Sequence, residues 1–172
     1  MSTPASQEIY RISTLFHSRP GVSETEFYKH WYEVHGPLCV PWALHYNFVG
    51  YIQFQTPQHL REALGKGRDG QFKSSSGFEA CADFYVRDYN DYLKAFQDPY
   101  YLEVIAQDEE NFVDKGIERF GNREQGYNVG EVRAISTMGI TKSIIKDGKA
   151  VIQVPDSVWK KWEEFQDRKR AG

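Results

Sequence analysis

The sequence predicts an α+β fold, a four-stranded antiparallel sheet with helices on one face, followed by a C-terminal hairpin and helix. Three observations carry this. The chain has 172 residues, 40% hydrophobic and 15% aromatic, enough to bury one core without disulfide or metal staples. Alternating and helical patterns follow one another as strand, helix, strand, then strand, helix, helix, strand. Late in the chain, Asp147-Gly148 separates two β-rich runs, a strong signal for a two-residue hairpin. Two such halves make a ferredoxin-like sheet whose second face needs a cover, and a second copy of the chain, in a homodimer, is the natural one.

Residues 1–8 are small and polar and read as a flexible tail, with a single domain over 9–172. In IYRISTLFH, Tyr10, Ile12, Thr14 and Phe16 alternate with Arg11 and Ser13, the pattern of a half-buried strand closed by Pro20-Gly21. Ser23 and Glu26 stand at capping-box spacing. The helix they open carries Phe27, Trp31, Val34 and Leu38 as one apolar stripe and is expected to break at Gly36-Pro37, with a bend near Pro41. Phe48 to Gln55 reads as a second strand. Residues 57–77 read as a loop insertion with at most a short helix near Leu60 to Leu64, either a lid or a plain surface excursion.

Phe78 to Val86 returns to strand character, and Asp88 caps a helix holding Tyr89, Tyr92, Leu93 and Phe96. Beyond Pro99, a helix from about Tyr100 to Asp114 offers Leu102, Ile105 and Phe112 to the core. Residues 121–130 read as a loop. A C-terminal extension from about residue 131 supplies the strand VRAISTMGITKSII, its hairpin return AVIQV, and a last helix after Pro155 with Val158, Trp159, Trp162 and Phe165 on its apolar side.

Composition excludes several functions. A net charge of −3, with basic residues interspersed among acids, offers no field for nucleic acid. The start lacks a signal-peptide pattern and no run of about 18 apolar residues occurs, so neither secretion nor a membrane span is expected and the location reads as cytoplasmic. Cys39 and Cys81 lack Cys-x-x-Cys spacing and read as free thiols in a reducing compartment. The chain has no G-x-S-x-G elbow and no P-loop.

The segment from Phe27 to Tyr51 concentrates the residues that handle small organic molecules. His35 lies four positions from Trp31 and seven from Tyr28, near the expected helix end, where the dipole favours an imidazolium. It serves there either as a cap bonded to a carbonyl or as an acid–base group. His45 and Tyr46 precede the second strand and Tyr51 lies on it; a histidine and tyrosines can polarise a carbonyl or move a proton in an apolar pocket. Trp31, Trp42 and Phe48 read as core or as walls of that pocket, and His17, at the end of the first strand, as a further lining residue. His30 and His35 are five apart, about 140° around an ordinary helix, so they are expected to face different ways. That argues against a metal site built from His30, His35 and His45, and no cofactor is expected. The acidic run QDEENFVD reads as a solvated face from which Asp108 points inward to orient a histidine.

The string RPGVSETEFYKHWYEVHGPL resembles the start of EthD-domain proteins, with Pro20-Gly21, Phe27, Trp31, His35 and Pro37 in that family's pattern. FQDPYYLEVIAQDEENFVD looks like the family's second hallmark, and the C-terminal part is similar to that of longer fungal members. The resemblance implies a dimeric ferredoxin-like α/β barrel. It also implies a cofactor-independent lyase, a decarboxylase or dehydratase of aromatic polyketides in fungal secondary metabolism, with His35 matching the motif histidine and Asp108 the acidic position. On this reading His35 is the acid–base group, Tyr46 or Tyr51 bonds the substrate carbonyl, and Asp108 orients a histidine. The substrate-binding set is His17, Tyr28, Trp31, Trp42, His45 and Phe48. Two alternatives keep the pocket: a cyclase, pericyclase or cofactor-free monooxygenase, and a non-catalytic binding protein.

Overall fold

The alternation after residue 9 becomes strand β1 (Tyr10–Phe16) in a computed structural model that describes residues 8–66, 78–115 and 140–171. Helix α1 (Glu24–His30) opens as the spacing predicts: the Ser23 hydroxyl accepts the Glu26 amide, and the Glu26 carboxylate accepts the Ser23 amide. The helix does not break at Gly36-Pro37. It widens into a π-helical turn, Trp31–His35, and runs on as α2 (Gly36–His45), with Pro37 in its first turn and Pro41 inside it rather than at a bend. Pro37 has no N–H to give, and in an ordinary α-turn its ring presses on the carbonyl four residues back; the wider turn upstream relieves that conflict.

Strand β2 (Gly50–Gln55) and helix α3 (Gln58–Lys66) follow, so the described part of the 57–77 insertion is helical; residues 67–77, and with them the lid reading, lie outside the described residues. Strand β3 (Ala80–Val86) leads to α4 (Tyr89–Ala95), which Asp88 caps through a 2.8 Å bond from the Asn90 amide. A second π-helical turn, Tyr101–Ile105, then runs into the short helix α5 (Ala106–Glu109). Ile105 and Phe112 are buried as expected, whereas Leu102 is exposed. Strands β4 (Ile140–Lys146) and β5 (Lys149–Ala150) flank Asp147 and Gly148, whose φ angles of 51° and 71° are those of the anticipated hairpin turn. The tail, the loop at 121–130 and the first half of the VRAISTMGITKSII strand lie outside the described residues.

Among the described residues the sheet has five antiparallel strands, not four, in the order β1-β3-β2-β4-β5. The hairpin extends the sheet at the β2 edge because Ile144 and Ile145 are buried there, with the first turn of α2 close by. One sheet face carries Phe16, Ala82, Phe84 and Tyr51 into a core completed by Phe27, Trp31 and Trp42 of the helices. The other face presents Arg11, Ser13, Leu15, Ile52, Phe54, Cys81 and Asp83. There Asp83 takes two bonds from the Arg11 guanidinium and one from Ser13, and burial together with that carboxylate pushes the Cys81 thiol up to about 11.

Helix α6 (Asp156–Ala171) packs Val158, Trp162 and Phe165 inward and leaves Trp159 at the surface. Trp162 and Phe165 both meet the Tyr100 ring edge-on. The fully buried Asp98 carboxylate ties this helix down, accepting Lys169 Nζ at 2.7 Å and Tyr46 Oη at 2.6 Å. Although burial alone raises its pKa, these bonds hold Asp98 below the usual carboxylate range.

Candidate active site

The two π-helical turns flank one cavity of about 180 Å³, and such turns recur at functional sites because they re-aim the side chains around them. The first exists because Gly36 N–H reaches the carbonyl of Trp31, five residues back. The buried Gln53 side chain adds a second donor to that same carbonyl at 2.7 Å. The backbone at Gly36 comes close to the sheet: a Cβ there would sit 3.0 Å from Ile144 Cδ1, which would have to give way. The helix end expected at the Gly-Pro pair is not there.

The wide turn changes which residues share a helix face. His30 and His35, predicted to diverge, converge on one carboxylate: His30 Nε2 lies 2.9 Å from Asp108 Oδ1 and His35 Nδ1 lies 2.9 Å from Asp108 Oδ2. The prediction used the 3.6-residue repeat, and an i→i+5 turn brings residues five apart onto one side. Phe112 packs against both imidazoles, at 5.0 and 4.9 Å between ring centroids. Burial pushes the Asp108 pKa up, but hydrogen bonds and charge from His35, then His30, outweigh it and hold the carboxyl below its ordinary range.

His35 is buried and lines the cavity with Trp31, Cys39, Trp42 and Tyr51. Because Nδ1 is committed to Asp108, Nε2 is the nitrogen left for a ligand. Phe84, Phe96, Tyr101, Ile105, Glu109 and Phe112 line the cavity as well. Tyr101 Oη lies 3.2 Å from Glu109 Oε1 and donates to it, and Lys115 Nζ lies 3.1 Å from the other oxygen. The result is an aromatic box lined by a histidine that a carboxylate holds and by a tyrosine–glutamate pair.

The family model for the EthD domain matches residues 19–116, more than half of the chain. The chain belongs to the EthD family. The dehydratase aurZ of Gibberella zeae is 28% identical to this EthD protein over 140 residues, covering 81% of this chain and 82% of the relative. A conidial pigment biosynthesis dehydratase of Metarhizium robertsii is 24% identical over 149 residues, covering 87% and 94%. A decarboxylase of Emericella nidulans is 25% identical over 120 residues, covering 66% and 74%. No solved structure matches the chain.

Of the residues the sequence singled out, the EthD fold brings His35, Asp108, Trp31, Trp42 and Tyr51 together in or directly behind the cavity. Tyr51 is fully buried, which pushes its pKa well up, and its hydroxyl receives Gln53 Nε2 at 3.2 Å. Other expected lining residues are placed elsewhere. Tyr46 is turned toward Asp98 and Lys169, and the exposed His45 meets Tyr46 edge-on and Trp162 at a tilt beside the last helix. Phe48 fills the core against Trp42 and Tyr92, behind the cavity wall. Tyr28 donates to the Glu79 carbonyl at 2.7 Å and His17 stacks on Phe78, both outside the lining. Among the described residues no three His, Cys, Asp or Glu side chains are arranged to hold a metal ion, and no helix is long and apolar enough to cross a membrane.

Tyr101, Glu109 and Cys39 were missed. Yet Tyr101, Ile105, Asp108, Glu109 and Phe112 recur at spacings of three and four, the signature of one inward stripe. The charges of the acidic run concealed it.

Proposed function

We propose that this EthD protein is a cofactor-independent lyase that removes water or CO₂ from an aromatic, polyketide-type intermediate, with His35 as the acid–base group. The observation that carries this reading is a single one: His35 lines an aromatic cavity with Nδ1 tied to Asp108 at 2.9 Å, which leaves Nε2 as its nitrogen for proton transfer. Loss of water or CO₂ from an activated β-keto system needs proton transfer and no electron transfer, and a positioned acid or base contributes about 10²–10⁴-fold to such a step. The aromatic lining suits a flat, apolar substrate. Relatives named dehydratase and decarboxylase, one of them in conidial pigment biosynthesis, agree in reaction class.

The reading includes a homodimer closed over the sheet face that carries the exposed Leu15 and the half-buried Ile52 and Phe54, and sedimentation at twice the chain mass is the expected result. His35→Gln keeps a side chain of similar reach and removes the imidazole. Turnover of aromatic β-hydroxy ketones or β-keto acids is expected to fall at least 100-fold with the melting curve little changed. Unchanged turnover in this variant would remove His35 from the chemistry and leave a cavity acting by shape alone, the cyclase reading.

A further inference from the structure

We infer that Glu109 is the second acid–base group of this cavity and that the His35–Glu109 pair makes the protein a dehydratase of neutral β-hydroxy ketones rather than a decarboxylase of acids. The inference rests on the lyase reading above and names its reaction and substrate charge. Asp108 and Glu109 are adjacent on α5 but divide their work: Asp108 turns to the two histidines, while Glu109 lines the cavity itself. Two proton-handling groups thus reach one cavity from separate helices, His35 from the first π-turn and Glu109 from α5. Elimination of water needs both, because one proton leaves carbon and another joins the departing oxygen. Decarboxylation needs only one proton, delivered to the carbon that CO₂ has left.

The charges point the same way. Among the described residues that line the cavity, none is Lys or Arg. The nearby Lys115 is already engaged by Glu109, by Glu110 at 3.0 Å and by the Ala106 carbonyl at 3.1 Å. The imidazole of His35 is already held by Asp108, so a substrate carboxylate would enter beside Glu109 with no uncommitted cation to meet it, a like-charge pairing that a small apolar cavity penalises. A ketone or hydroxyl meets no such penalty.

The step balances within the cavity. A Glu109 oxygen takes the proton from the carbon between ketone and carbinol, and the C–H electron pair becomes the new C=C bond. The C–O bond breaks, and His35, protonated against Asp108, gives its Nε2 proton to the departing hydroxyl, which leaves as water. The proton on Glu109 then returns to His35 through that water, so no net proton is consumed. Tyr101, donating to Glu109 Oε1, directs that carboxylate and is a positioning residue.

Two probes that give one fluorescent product test the assignment: 3-hydroxy-1-tetralone loses water to 1-naphthol, and 1-hydroxy-2-naphthoic acid loses CO₂ to the same compound. The full-length protein is expected to convert the hydroxy ketone and not the acid. Glu109→Gln is expected to lower kcat on the hydroxy ketone at least 100-fold with KM changed less than threefold. Fluorescence titration with the acid and with 1-naphthol is run in parallel. Glu109→Gln is expected to tighten binding of the acid at least tenfold and to leave 1-naphthol unchanged. Conversion of the acid by a Glu109→Gln variant as active as the parent would overturn the dehydratase assignment and leave the lyase reading standing. Equal acid affinity in parent and variant overturns it even without turnover. If neither compound binds, the aromatic-substrate reading fails with it.

Discussion

Replacing Asp108 with Asn separates the charge that organises the two histidines from the shape that holds them. The aspartate takes two bonds, each 2.9 Å, on a side chain only 10% exposed. Asparagine keeps one oxygen for one imidazole and turns an NH₂ toward the other, so about one charge-assisted bond is lost. Such a bond is worth about 1.5–3 kcal/mol. For a chain of this size each kcal/mol moves Tm by about 2–4 °C, giving an expected drop of about 3–12 °C at neutral pH. The pH dependence follows from the depressed Asp108 pKa. A carboxyl held below its unfolded value, about 3.9, gives its full stabilisation above that value and loses it as pH falls through the folded value. The gap between parent and variant is therefore expected to be full at pH 6–7, to narrow below about pH 4 and to close at still lower pH. Urea melts from pH 3 to 7 measure it, and kcat is expected to fall at least 100-fold as His35 loses its orientation. A variant with parent-like Tm at pH 7, or a gap that persists unchanged at low pH, would refute the reasoning.

Two further changes probe the first π-turn. Gln53→Leu removes the donor to the Trp31 carbonyl but also removes Gln53 Oε1, a buried oxygen with no partner among the described residues. These opposed terms are expected to leave stability within about 1 kcal/mol of the parent, while kcat falls about tenfold or more as the turn carrying His35 relaxes; circular dichroism melts and product assays separate the two. Gly36→Ala places a methyl 3.0 Å from Ile144 Cδ1 and is expected to cost about 1–3 kcal/mol. Ile144→Val deletes that atom, so the double variant is expected to lose at least about 0.5 kcal/mol less than the sum of the two single changes in urea titrations.

Local rules made much of this protein legible. The Ser23–Glu26 capping box, the Asp88 cap and the Asp147-Gly148 hairpin each depend on atoms within a few residues, and each formed where its residues stood. The inward Asp108 was marked by its match to the acidic position of the family's second hallmark, and it meets His30 as well as His35. The placement of Tyr46 was not legible, because its partners Asp98 and Lys169 lie far along the chain, and a hydroxyl follows the nearest buried carboxylate. Glu109 was hidden for the opposite reason: an acidic run reads as solvent-facing until the walls around it are known.

The Phe27, Trp31, His35 and Pro37 pattern was enough by itself to mark the family and to single out, among the five histidines of the chain, one that lines the cavity. It could not show that His30 joins His35 on Asp108. That depends on one turn of helix opening from the ordinary repeat to a five-residue one. The turn is set by a proline without an N–H, a glycine pressed close to Ile144 and a glutamine reaching across from β2. Capping and turn chemistry are properties of neighbours along the chain, whereas the pitch of a helix at one turn is decided by what packs against it.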